Sequence, residues 1–229
     1  MWIPRPALDD ALRDDWRELL ASHHSDPVEV DAVFDDLLGR LHALDRWHHG
    51  VERLTEVLRW IERLEHRADD PHTVRLTAWV ATSAADVARG AESVGSAQWA
   101  ARVLSRVGVR PAVVTDVERL LTVLGEYDPD DTDADGEVLC DAQLAVLGAV
   151  AAEYRVHVDA SRWKSGLSAA VWSEQRRQTV DELLRRDSVF RTPEMRAVRE
   201  GRAQLNIARE ATELRTRCLQ GSRARADRR

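Results

Sequence analysis

Hydrophobic residues recur along most of this chain at the three-to-four residue spacing of an amphipathic helix and almost nowhere alternate with the period of two that marks a strand. Leu8, Leu12, Trp16, Leu19 and Leu20 predict a first helix from Pro6 to about His23, with Pro6 in the opening turn. A second follows, capped by Ser25 with Pro27 just inside, and Val28, Val30, Val33, Phe34, Leu37, Leu38 and Leu41 supply its expected buried stripe. The third runs from about His49 to Arg67 on Val51, Leu54, Val57, Ile61 and Leu64. Asp70 as cap and Pro71 in the first turn open a fourth, which passes through Val74, Leu76, Trp79 and Val80.

Two more helices, from about Glu92 to Val107 and from about Pro111 to Leu124, are separated by the break at Gly108. Between Glu126 and Glu137 the periodicity gives way to an acidic loop. Short helices are expected over 139–150 and 151–157, a longer one over 163–186, and a last one from Thr192-Pro193-Glu194 to about Leu219. There is no repeat of fixed period and no linker rich in Gly or Ser. The expected fold is all-α, a compact multi-helix bundle in a single domain over residues 1–219, with a basic, disordered tail over 220–229.

Composition narrows the partners. With 33 basic against 40 acidic residues the net charge is −7, so nucleic acid and anionic membrane are not expected to attract the body of the protein. The arginines from Arg215 onward offer a surface that phosphate could dock on, and are read first as a solvated, partly disordered end. The opening Met1-Trp2-Ile3-Pro4-Arg5-Pro6, followed by Asp9 and Asp10, predicts neither a secretion signal nor a membrane span. Cys140 and Cys218 stand far apart without metal-ligand spacing and are expected to be reduced thiols in a cytoplasmic protein. Asp131-Thr132-Asp133-Ala134-Asp135-Gly136 opens like a calcium loop, but Ala142 stands where a bidentate Glu is required, so a solvated loop is the expectation.

The run Arg46-Trp47-His48-His49-Gly50-Val51-Glu52-Arg53 carries the chemistry of greatest interest, because a histidine pair at a helix mouth is a candidate metal site. Helical bundles hold catalytic metals with side chains projected inward from several helices, and Asp86, Glu92, Glu126 and Asp141 are the available partners. Together with Trp79-Val80-Ala81-Thr82-Ser83-Ala84-Ala85-Asp86 and Asp141-Ala142-Gln143-Leu144-Ala145-Val146-Leu147-Gly148, this run resembles the predicted metal-dependent phosphohydrolases of the HD superfamily. Members of that subgroup read Arg-His-Tyr-His-Thr-Leu-x-His, Trp-Phe-His-Asp-x-Val-Tyr-Asp, Asn-Glu-x-x-Ser and Asp-x-Asp-Leu-x-Ile-Leu-Gly. The resemblance extends from about Trp16 to Glu210, with Glu92 a weak trace of the third motif. Val189-Phe190-Arg191-Thr192-Pro193 and Glu200-x-x-Ala203-x-x-Asn206-Ile207 are similar to the family's closing helices.

What the resemblance implies is a helical domain in which a first His, a His-Asp doublet and a distant Asp hold a divalent ion (Mn, Mg, Fe, Co or Zn) that activates water against a phosphoryl group. Here the match leaves His49 and Asp141 as residual ligands, too few for a catalytic site, since Ala81 and Thr82 stand in the doublet's places. Arg53 sets a permanent positive charge where a histidine is expected. The implied protein is a catalytically impaired HD-like domain with no resident cofactor, in which Arg46, His48, Arg53, Asp86 and Glu92 bind a nucleotide or another phosphorylated small molecule, or which engages a protein partner. Two alternatives stay open: a phosphohydrolase with a rearranged ligand set, and a helical scaffold or homo-oligomer that presents Trp2 or Trp99. Within the degenerate site, Arg53 is expected either to receive an anion or to pair with Asp141 or Asp86 as a plug.

Overall fold

A computed structural model describes residues 5–23, 25–48, 50–83 and 93–226. Every regular element among them is helical, so the chain is all-α, and it separates into two compact units, Met1–Gln143 and Leu144–Arg229. Among the described residues no helix is long and apolar enough to cross a membrane.

The first unit contains α1 (Arg5–Leu20), α2 (Pro27–His48), α3 (Gly50–Leu64), α4 (Pro71–Ser83), α5 (Ser93–Arg106), α6 (Pro111–Glu126) and α7 (Ala134–Leu144), whose last residue falls across the boundary. Short polar side chains set several of its helix starts by accepting from otherwise orphaned backbone N–H groups. Asp70 does so for α4 as the sequence predicts, accepting from the Thr73 N–H at 3.1 Å and from the Thr73 hydroxyl at 2.6 Å. For α2 the cap is Asp26, which accepts from the Val28 N–H at 2.9 Å; the predicted cap, Ser25, instead donates its hydroxyl to the Val107 carbonyl. At the start of α7 Asp133 accepts from the Gly136 N–H at 3.0 Å, and the helix therefore opens at Ala134, well inside the stretch that reads as an acidic loop. Asp133 also pairs with Arg119 at 2.7 Å, and Asp135 accepts from the Asp70 N–H at 2.9 Å, so these two aspartates serve the fold.

Trp16, Phe34 and Trp79, all fully buried, form the centre of this unit's core. The Trp16 and Trp79 ring centroids lie 5.2 Å apart, and Phe34 meets Trp79 edge-on at 6.0 Å. Such ring pairs add roughly 0.5–1.5 kcal/mol to the stabilisation from burial alone. Each indole N–H has an acceptor: Trp16 donates to the Val30 carbonyl at 3.1 Å and Trp79 to the Asp15 carboxylate at 3.0 Å, with Arg75 paired to the same carboxylate. Trp99 is half-buried against this core under the Arg40 guanidinium, 4.8 Å from its ring centroid. Gly50 fixes the joint between α2 and α3, because a Cβ there would stand 2.6 Å from the Leu41 carbonyl oxygen.

The second unit contains a 3₁₀ turn (Ala145–Gly148), α8 (Ala151–Ser165), α9 (Ala169–Leu183), α10 (Pro193–Met195), a π-helical turn (Arg196–Glu200) and α11 (Gly201–Ala226). Gly166 at φ 62° ends α8, and the Ser168 hydroxyl caps α9 through the Val171 N–H, so the break falls at 166–168 instead of between the expected helices over 151–157 and 163–186. Thr192 caps α10 as predicted. The residues that resemble the HD family's closing helices hold this unit together. Glu200 accepts from the Val189 and Phe190 N–H groups at 2.9 and 3.2 Å. Asn206 donates to the carbonyls of Leu147 and Ala149, both at 2.9 Å. Gly148 lies so close to Arg199 that a Cβ would come within 2.7 Å of that side chain.

Candidate functional site around Arg53

Arg53 projects from the first half of α3, the helix whose position against α2 Gly50 secures. Its Nη2 group donates to the Gln143 carbonyl and lies 3.3 Å from the Gln143 side-chain oxygen, which ties α3 to the C-terminal end of α7. Nη1 is buried and has no hydrogen-bond partner among the described residues. Burial pulls the Arg53 pKa below its ordinary value, and the nearby Tyr127 and Glu56 pull it back up. A guanidinium does not surrender its proton in such surroundings, so the charge persists, and its desolvation is offset in part by the Gln143 amide and carbonyl and by the field of Glu56.

Tyr127 enters this environment because α6 ends there in the left-handed conformation, at φ 51°. Burial pushes its phenol pKa up, the Arg53 charge pulls it down, and Cys140 pushes it up again. Cys140 is a buried thiol that forms no disulfide, and the adjacent Asp141 is fully buried on α7. Neither Tyr127 nor Gln143 stands out in the sequence as a site residue. The signal that bears on Tyr127 is its position between the last apolar residue of α6 and Asp128-Pro129, where a helix must stop.

The other candidates divide sharply. Arg53, Gln143 and Asp141 are brought to the same pair of helices, α3 and α7. Of the two pairings expected of Arg53 as a plug, that with Asp141 gives way to the hydrogen bonds with Gln143, two residues further along α7, and Asp86 lies outside the described residues. Arg46 and His48 fall in the last turn of α2, where side chains are not described, and His49, Asp86 and Glu92 lie outside the described residues. Ala81 and Thr82 are half-buried in the last turn of α4; Ala81 packs against the core, and the Thr82 hydroxyl donates to the Ala78 carbonyl at 2.9 Å. Ser83, next in line, has a buried hydroxyl without a hydrogen-bond partner among the described residues.

A divalent ion of the kind the HD resemblance implies is poorly served by these groups. Ala81 brings no donor atom, the Thr82 hydroxyl is turned onto its own helix, and a buried cation stands on α3. Among the described residues no three His, Cys, Asp or Glu side chains are grouped to hold a metal. Negative charge would complement the buried, unpartnered Nη1 donor of Arg53.

No family model matches this chain, and no curated protein or solved structure is detectably similar to it.

Proposed function

We propose that this chain is a catalytically impaired HD-like protein that binds a small phosphorylated ligand, or a partner presenting an equivalent anion, without hydrolysing it. The observation that carries this reading is the half-buried Arg53 side chain with its buried, unpartnered Nη1. A permanent charge removed from water is stabilised by an opposite charge, and a phosphate oxygen matches the geometry of a guanidinium. The resemblance of the Arg46–Arg53 run to the first HD motif gives the class of ligand, and the loss of donors at Ala81 and Thr82 argues against turnover. A cytoplasmic setting belongs to the same reading.

Isothermal titration of the full chain with inorganic phosphate and a panel of nucleoside mono- and diphosphates tests this, alongside Arg53→Met and elemental analysis of the purified protein. The expected result is saturable binding that Arg53→Met weakens by roughly tenfold or more, the equivalent of one charge-assisted hydrogen bond, with no phosphate released. Absence of heat for every probe overturns the ligand reading and leaves Arg53 as a plug. Turnover by protein carrying a stoichiometric transition metal overturns the loss of catalysis.

A further inference from the structure

Within the second unit, α8, α9 and α11 enclose an open cavity of about 280 Å³, near the lower end of the volumes of small-molecule pockets. Its floor is apolar, aromatic and electrically settled. Tyr154, Trp172, Asn206 and Leu214 are all buried there, and Glu210, also buried, is fully engaged. Arg176 grips the Glu210 carboxylate through two hydrogen bonds of 2.8 and 3.0 Å, and the Tyr154 hydroxyl donates to it at 2.5 Å. The burial of Tyr154, its nearness to Glu210 and the bond between them all push its phenol pKa upward, so that hydroxyl stays protonated and the floor carries no net charge.

The rim is different. Arg155 and Arg162 from α8 and Arg209 from α11 are exposed at the cavity, and none of the three makes a hydrogen bond or ion pair through its side chain among the described residues. Asp159 and Glu213 share the rim, so the basic excess there is small. That balance favours an anion of one or two charges over a polyphosphate, whose further charges would meet the two carboxylates.

We propose that this cavity is a second binding site, independent of Arg53, for a small planar organic anion whose ring enters between Trp172 and Tyr154 and whose carboxylate or phosphate remains at the arginine rim. The ring gains from leaving water on an aromatic floor with no buried charge to repel it. The head group gains bidentate partners that need not give up any existing ion pair.

Indole-3-acetate and adenosine 5′-monophosphate, each paired with its uncharged counterpart, indole and adenosine, separate the carboxylate source from the phosphate source. Titrations would use the full chain, the Arg155→Ala/Arg209→Ala double variant and Arg53→Met. The exposed arginines leave the fold intact, which circular dichroism checks. The expected result is that one anion binds saturably and quenches tryptophan fluorescence, a quench lost in Trp172→Phe. The rim double variant weakens that binding by roughly tenfold or more, the uncharged counterpart binds far less tightly, and Arg53→Met leaves it unchanged. The proposal falls if neither anion binds, if binding survives the double variant, or if only Arg53→Met removes it, the last outcome placing the ligand at Arg53 alone.

Discussion

At the residue scale the two possible roles of Arg53 predict opposite effects on stability. A plug that secures α3 to α7 through Gln143 contributes to the folded state, so its removal lowers stability. A cation held ready for an anion carries a desolvation cost at Nη1 that Gln143 and Glu56 offset only in part, and replacing it with an apolar side chain of similar length relieves that cost. Under the proposed function, Arg53→Met raises the stability of ligand-free protein by about 1 kcal/mol or more, measured as the urea midpoint at unchanged slope. A fall of similar size identifies the plug. In the sequence this residue stands out only through the proposed HD resemblance, which puts a histidine in its place. Its partners do not. Gln143 meets it through a backbone carbonyl, a group every residue possesses, and Tyr127 comes into range through a left-handed turn that glycine would ordinarily mark. Contacts made by backbone, between residues 90 positions apart, leave no trace in the pattern of side chains.

At the scale of elements the helix starts are readable wherever a capping side chain and a proline adjoin, as at Asp70-Pro71 and Thr192-Pro193. They are obscured where two polar residues compete. Ser25 and Asp26 both precede α2, and the choice falls to Asp26 because tertiary packing engages the Ser25 hydroxyl with Val107. Asp133 is lost among neighbouring aspartates, and the Gly166–Ser168 break is hidden by apolar residues on both sides. Glycines separate local propensity from packing most cleanly, and α2 and α3 offer a matched pair. Gly39 lies in the middle of α2 with nothing within 4 Å of where an alanine Cβ would sit, whereas the same atom on Gly50 would stand 2.6 Å from the Leu41 carbonyl oxygen. Gly39→Ala therefore stabilises by about 0.5–1 kcal/mol, through the reduced backbone freedom of the unfolded chain. Gly50→Ala costs about 1–3 kcal/mol because backbone on both sides must give way. Chemical denaturation of the two variants checks both signs; a neutral Gly50→Ala would show that the α2–α3 joint is looser than described.

For the whole molecule, all-α character follows from periodicity alone, but the response to acid is a property that only the assembled charges supply. His23 is buried at the end of α1's 3₁₀ extension with neither ring nitrogen hydrogen-bonded among the described residues, its ring 5.0 Å from that of His72. Burial lowers its pKa from the ordinary 6.5, the charges of His72 and Arg110 lower it further, and only Asp70 opposes them. The folded protein thus binds fewer protons at this site than the unfolded chain, and the stability associated with neutral His23 is present above about pH 6.5 and lost as pH falls through the lower folded value. Carboxylates act in a separate window. Asp70, whose burial is outweighed by its bonds with Thr73, and Asp31 and Asp181, held down by Arg17 and Arg215, all have pKa values below the ordinary 3.8, so their contribution survives to that region and fades beneath it. Asp135, raised by burial, works in the opposite sense and blunts the lower step. The urea midpoint followed from roughly pH 8 to pH 3 should therefore fall in two stages. His23→Leu abolishes the upper stage, because leucine has no proton to gain, and leaves the lower one in place. A wild-type profile that is flat between about pH 7 and pH 5, or a variant that retains the same fall there, would assign the upper stage to some group other than His23.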